Sequence, residues 1–137
     1  MANIVPGRTV RSKGNEQTPV ISMDYAFPFG KAGCPHRVLK DFKEGSVAAT
    51  RCSRKGTGCE WAVQMVLRFI DDLGRRGIVL RNDSEPALVA LSDAIRSSRE
   101  AQTTPSSPAV GDSNGNGAIE RVVQEVEVML RTLILDV

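Results

Sequence analysis

No stretch of the 137-residue sequence approaches the ~18 consecutive apolar residues that a membrane-spanning helix needs. The N-terminus, Met1-Ala2-Asn3, lacks the basic-then-hydrophobic signature of a secretory leader. Cysteine is scarce: Cys34, Cys52 and Cys59 are too few for a disulfide-stapled secreted domain and cannot all pair within one chain. The expectation is an intracellular protein with reduced thiols. Strong charge of one sign is also missing, since 18 Lys and Arg face 16 Asp and Glu for a net +2. Any contact with nucleic acid must therefore come from local patches. There are no solenoid-type repeats, and the length suits one domain of ordinary size rather than a two-domain enzyme. What is present is enough apolar side chain, 41%, to build one core.

Residues 1–17 carry Arg8, Arg11 and Lys13 without apolar periodicity and are expected to form a flexible basic arm. From Pro19 onward, Val20 to Phe27 suits a buried strand whose odd member is Asp24. Residues 37–42 and 46–51 flank Lys43-Glu44-Gly45, which predicts two further strands and a tight turn. A three-strand antiparallel meander over 19–52 follows. Trp61, Met65, Phe69 and Leu73 then recur at i, i+4 spacing, so a helix is expected over 58–73 with Gly74 ending it and Trp61 and Met65 in the core. Ile78-Val79-Leu80 reads as a short strand. Ser84 is expected to cap the next helix, with Glu85 and Pro86 in its first turn and Leu88, Leu91 and Ile95 inward. Residues 100–104 are a candidate fifth strand. Over 103–117, twelve of fifteen residues are Thr, Pro, Ser, Gly or Asn, which predicts a loop. A last helix should bury Ile119, Val122, Val123, Val126, Leu130, Leu133 and Ile134, and expose Glu120, Gln124, Glu127 and Arg131. A meander followed by a helical crossover gives an α/β fold with a mixed sheet.

Three acids stand at element ends: Asp24 in an apolar strand, Asp83 after another, and Glu120 in the helix that follows the polar stretch. Carboxylates on rigid ends suit hard divalent cations such as Mg²⁺. Two such ions, about 3.5–4 Å apart, activate an attacking oxygen and stabilise a leaving one during displacement at phosphorus. Each acid also has an ordinary explanation. Asp24 could pair with an arginine, Asp83 could cap a helix, and Glu120 could be an exposed helix acid. Glu85 is read as a favourable first-turn acid and nothing more.

Four segments together resemble the retroviral-type integrase catalytic core of LTR retroelements, a branch of the ribonuclease H-like superfamily. They are Ile21-Ser22-Met23-Asp24, Leu80 to Ala87, Ser113 to Glu120, and Arg121 directly after. Between Asp83 and Glu120 lie 36 residues, one more than in the family's D,D-35-E motif. The resemblance covers roughly residues 18–135, so 18–137 is expected to be the integrase-like core. It implies a ribonuclease H-like mixed sheet, with Asp24, Asp83 and Glu120 as catalytic, metal-binding acids. It further implies that Asn116 and Gly117 belong to the active-site loop and helix entrance. Two Mg²⁺ or Mn²⁺ ions would act with DNA bound, first cutting near the element's DNA end and then joining it to target DNA. DNA would be the partner, a homo-oligomer the assembled state, and the nucleus the place of action. Both steps are phosphoryl transfers that need no protein nucleophile, in keeping with the lack of a Ser-His-Asp or Cys-His arrangement.

The chain departs from that family in three respects. It is expected to lack the zinc-binding and DNA-binding domains that commonly flank the core, and to be truncated within or just after the Glu120 helix. Gln124 and Glu127 stand where the family often places lysines that hold the DNA end. The alternative is an inactive integrase-derived module that binds nucleic acid or protein; a nuclease of the same fold is a third reading. Arg51, Arg54, Lys55 and Arg121 are candidate DNA contacts, and Arg75 and Arg76 could contact phosphates too, although solvated charge is the commoner explanation for such residues. Cys34-Pro35-His36 with Cys52 and Cys59 lacks the usual C-x2-4-C zinc spacing and is read as structural thiols.

Overall fold

The computed structural model describes residues 18–30, 33–52, 60–107 and 113–135. The basic arm at 1–17, together with Arg54, Lys55 and Cys59, lies outside these residues. In chain order the elements are β1 (Val20–Ala26), β2 (His36–Asp41), β3 (Val47–Arg51), α1 (Glu60–Asp72), β4 (Ile78–Arg81), α2 (Pro86–Ser98), β5 (Thr103–Ser106) and α3 (Ser113–Leu135). The strands form one sheet in the order β3-β2-β1-β4-β5. The first three are antiparallel, while β4 runs parallel to β1 and β5 parallel to β4. This is the expected mixed sheet, with the fifth strand three residues later than its sequence suggested. Pro105 is tolerated in β5 because an edge strand can leave a ladder donor out.

Alternation along the strands sorts side chains to two faces. On one face Ile21, Met23 and Tyr25 of β1, Leu39 of β2, and Ile78 and Leu80 of β4 pack against α1 and α2 in the main core. Those helices contribute Ala62, Val66 and Ile70, and Leu88, Leu91 and Ile95. On the other face Ala26 and Val38 meet Val126 of α3, with Val122, Val123 and Leu130 alongside. At about 1.5–3 kcal/mol for each large side chain taken from water, the first face holds most of the stability. The thinner α3 face depends on polar anchors as well.

Three helical expectations are corrected. Trp61 is 56% exposed and Met65 only partly buried; the smaller Ala62, Val66 and Ile70 face the sheet, because they let α1 approach it closely. Ser84 does not cap α2: Glu85 occupies the N-cap position without a side-chain cap bond, and Pro86 follows at the helix start. Leu133 is 56% exposed, since α3 at that point has passed beyond the sheet contacts made by Val126 and Leu130. Gly74 ends α1 as expected, with the positive φ of 71° that a side chain would resist. Gly45 does the same in the β2–β3 turn at φ 88°.

Candidate active site

Asp24 lies on the α3 side of β1, between Ser22 and Ala26, and opposite Val38 of β2. In β4 the last residue paired with β1 is Arg81, opposite Ser22. Asp24 and Asp83 therefore each stand two residues beyond a paired couple, on neighbouring parallel strands. Asp83 is fixed locally: its Oδ1 accepts the Glu85 N–H at 2.9 Å and its carbonyl accepts Asn82 Nδ2 at 2.7 Å. That aspartate turn replaces the serine cap expected from sequence. Asn82 in turn donates its N–H to the Ser106 carbonyl at 3.1 Å, tying the end of β4 to β5.

Glu120 is brought in by α3, and residues two turns further on show how. Glu127 Oε2 accepts the Phe27 N–H at 2.8 Å, and Arg131 Nη1 donates to the Pro28 carbonyl at 2.9 Å. Seven residues of helix rise about 10.5 Å and three residues of strand about 10 Å. The same docking carries Glu120 along β1 toward Asp24, near enough for its charge to act on that carboxyl. Glu127 and Arg131 were expected to face solvent; instead they dock the helix, because the end of β1 leaves backbone donors and carbonyls that need partners. These contacts span 100 and 103 residues, and no local sequence pattern marks them.

The Asp24 carboxyl responds to the acids around it. Burial drives the Asp24 carboxyl from its ordinary 3.8 up to about 6; the Tyr25 N–H bond, at 2.7 Å to Oδ1, opposes this, and the charges of Asp83, Glu85 and Glu120 reinforce it. Glu85 joins this field although sequence gave it only a place in a helix turn. The donor chemistry, carboxylate oxygens crowded against like charge, fits a hard divalent cation. Among the described residues, no three His, Cys, Asp or Glu side chains lie close enough together to hold a metal ion.

Asn116 and Gly117 lie within the helical backbone of α3, which begins at Ser113. Most of the final part of the polar stretch is therefore helix and not loop, since the docking of the helix outweighs the ~1 kcal/mol that each glycine costs. Arg51 is exposed at the end of β3, with Nη2 3.4 Å from Cys34 Sγ, and Arg121 is exposed on α3. Cys34 and Cys52 are free thiols. No helix among the described residues is long and apolar enough to cross a membrane.

No protein-family model matches the sequence, and no curated protein does. Solved structures match. One is a chain of the simian T-cell lymphotropic virus intasome, solved in complex with the PP2A regulatory subunit B56 gamma. It superposes with a TM-score of 0.65 at 22% identity, over 85% of this chain. This is the retroviral-type integrase core fold. The HTLV-2 integrase catalytic core domain, solved with magnesium in a dimeric form, also shares it, with a TM-score of 0.51 at 18% identity over 85% of this chain and 76% of that one. The chain spans 41% of the length of the intasome protein. In this chain Asp24 lies in β1, Asp83 two residues past β4 and Glu120 in the first half of α3.

Proposed function

We propose that this chain is a metal-dependent polynucleotidyl transferase core that processes and joins DNA ends during integration of a retroelement. The observation that carries the reading is the half-buried Asp24, whose carboxyl is held near 6 by burial and by Asp83, Glu85 and Glu120. An isolated buried carboxylate is costly, and here the nearby charges are of the same sign, which divalent cations would offset. Asp24, Asp83 and Glu120 would hold those ions, Mg²⁺ or Mn²⁺. When bound, they supply Lewis acidity for in-line displacement at phosphorus.

The protein's own part is positioning. The Glu85 N–H orients the Asp83 carboxylate. Glu127 and Arg131 fix α3 and with it Glu120. The Tyr25 N–H orients Asp24. Asn116 and Gly117, in the first turns of α3, would approach the DNA end, while Arg51 and Arg121 contribute exposed positive charge for phosphates. DNA is the partner in this reading, a homo-oligomer the working state and the nucleus the site of action.

Incubation of the protein with a branched integration intermediate and Mn²⁺ tests it. Resolved product is expected from wild type, and at least about 100-fold less from Glu120→Gln, a change at an exposed position that leaves the core intact. A folded, metal-bound wild type that yields no product would replace this reading with a non-catalytic binding module. Cleavage of RNA:DNA hybrids alone would replace it with a nuclease.

A further inference from the structure

Helix α1 turns Ala62, Val66 and Ile70 to the sheet, which leaves its opposite face to the outside. On that face Trp61, Met65, Arg68 and Asp72 follow one another at helical spacing and form a single stripe. The chain's one tryptophan, Trp61, is 56% exposed, and Met65 is half-buried. With Gln64 and Asp71 these residues line an open groove of about 540 Å³. A large ring in an open groove leaves water only when another molecule covers it.

The charges on the stripe are unpaired within the chain. Arg68 and Asp72 stand one turn apart, yet the ion pairs among the described residues are those of Arg75 with Asp41 and Glu44, and of Arg96 with Asp93. The order of the two residues accounts for this: a cation N-terminal to an acid at this spacing works against the helix dipole and is the weaker arrangement. A second copy of the same face supplies what each charge lacks. When two α1 helices run antiparallel about a two-fold axis at the level of residue 70, Arg68 of each copy faces Asp72 of the other, so one contact occurs twice. Trp61, about 13.5 Å from the axis, then reaches past the end of the opposing helix toward Arg76 of that copy. Arg76 is exposed, and an indole face attracts such a cation.

We propose that the outward face of α1 is a self-association surface whose partner is a second copy of this chain, held by reciprocal Arg68–Asp72 pairs beside Trp61 and Met65. One helix face buries less than the ~1,200–2,000 Å² of a stable interface, so the dimer is reversible, with a dissociation constant of about 10–100 µM. Helix α1 covers the side of the sheet opposite α3. Pairing through it leaves the α3 side, where Asp24 lies, open in both copies. The proposal rests on the transferase reading only for its expectation of a homo-oligomer; the surface comes from α1 itself.

Sedimentation equilibrium of the full chain, at concentrations on both sides of that range, tests it. Wild type is expected to pass from monomer to dimer. Arg68→Asp brings acids together and Asp72→Arg brings arginines together, so each variant alone should associate at least about tenfold more weakly. Mixed one to one, the two variants restore both pairs, because each acid of one chain meets an arginine of the other, and the mixture should dimerise as wild type does. Both positions are exposed, so neither change touches the core. Should either variant fail to fold, Trp61 fluorescence of wild type serves instead, and is expected to lose access to acrylamide as the dimer forms. A chain that stays monomeric throughout, or a dimer in which Trp61 is quenched as in the monomer, would overturn the surface. So would charge variants that associate like wild type, or a mixture that associates no better than its components. The branched-substrate assay is separate: failure there leaves a dimer through α1 intact, and turnover by a strict monomer refutes the surface alone.

Discussion

The two ends of the sheet treat charge in opposite ways. At the end where β1 and β4 begin, ions are paired and carbonyls are clamped. Asp41, with no side-chain exposure, meets Arg75 at 2.8 Å and accepts the N–H groups of Lys43 and Glu44. Arg75 also reaches Glu44 at 3.2 Å, and Arg99 spans from Thr103 to the carbonyls of Arg75 and Arg76. Even so, Arg75 Nε has no partner among the described residues. At the other end, the charges of three further acids act on Asp24, and the Arg37 guanidinium and His36 Nδ1 are buried without partners among the described residues. The polar groups separate along the strands: one end pairs most of them internally, and the other keeps like charges together.

The largest effect that distinguishes the ends is the pH dependence of stability in metal-free protein. Asp24 has a folded pKa raised to about 6 from 3.8. Between those values the folded state keeps a proton that the unfolded chain has lost, so this group lowers stability as pH rises and costs on the order of 2–3 kcal/mol above the window. Asp24→Asn should therefore be more stable than wild type at pH 7 and should match it near pH 4. At Asp41, burial pushes the carboxyl up, but Arg75 and the two N–H bonds win and hold it below its ordinary value. Its stabilisation is present above the unfolded pKa and lost as pH falls through the folded one. Asp41→Asn should accordingly be less stable than wild type at pH 7, with the difference shrinking in acid. Denaturant melts across pH 3–8 check both signs; the same sign for both variants would erase the contrast between the ends.

A smaller effect probes how the acid end is assembled. Glu127→Ala removes the acceptor of the Phe27 N–H and should cost about 1–2 kcal/mol. Because Glu120 is carried by the same helix, it should also weaken divalent-ion binding without touching any acid of the cluster. Unchanged metal affinity in a destabilised Glu127→Ala would show that α3 docking and acid placement are independent.

The sequence made the elements legible wherever local pattern decides them. The apolar run of Val20 to Phe27 exposed β1, the runs flanking the Gly45 turn exposed β2 and β3, Gly74 marked a helix end, and the order of the acids along the chain put them at element ends. Trp61 misled because size and helical spacing were read as burial, while packing favoured the narrower stripe of Ala62, Val66 and Ile70. Asn116 and Gly117 misled because glycine and asparagine speak for loops locally, whereas α3 is held by contacts from later turns. Glu127, Arg75 and Arg37 were opaque for a common reason. A charge that bonds a backbone group 100 residues away, an ion pair across 34 residues, and a buried guanidinium with no partner leave no periodic trace.

Calorimetric titration of Mn²⁺ into the protein at pH 7 tests the central claim most directly, because it asks whether the acids act together without requiring DNA or turnover. The account predicts binding to wild type and at least about tenfold weaker binding to each of Asp24→Asn, Asp83→Asn and Glu120→Gln. Folded wild type that takes up no Mn²⁺, or three variants that bind it as wild type does, would contradict it.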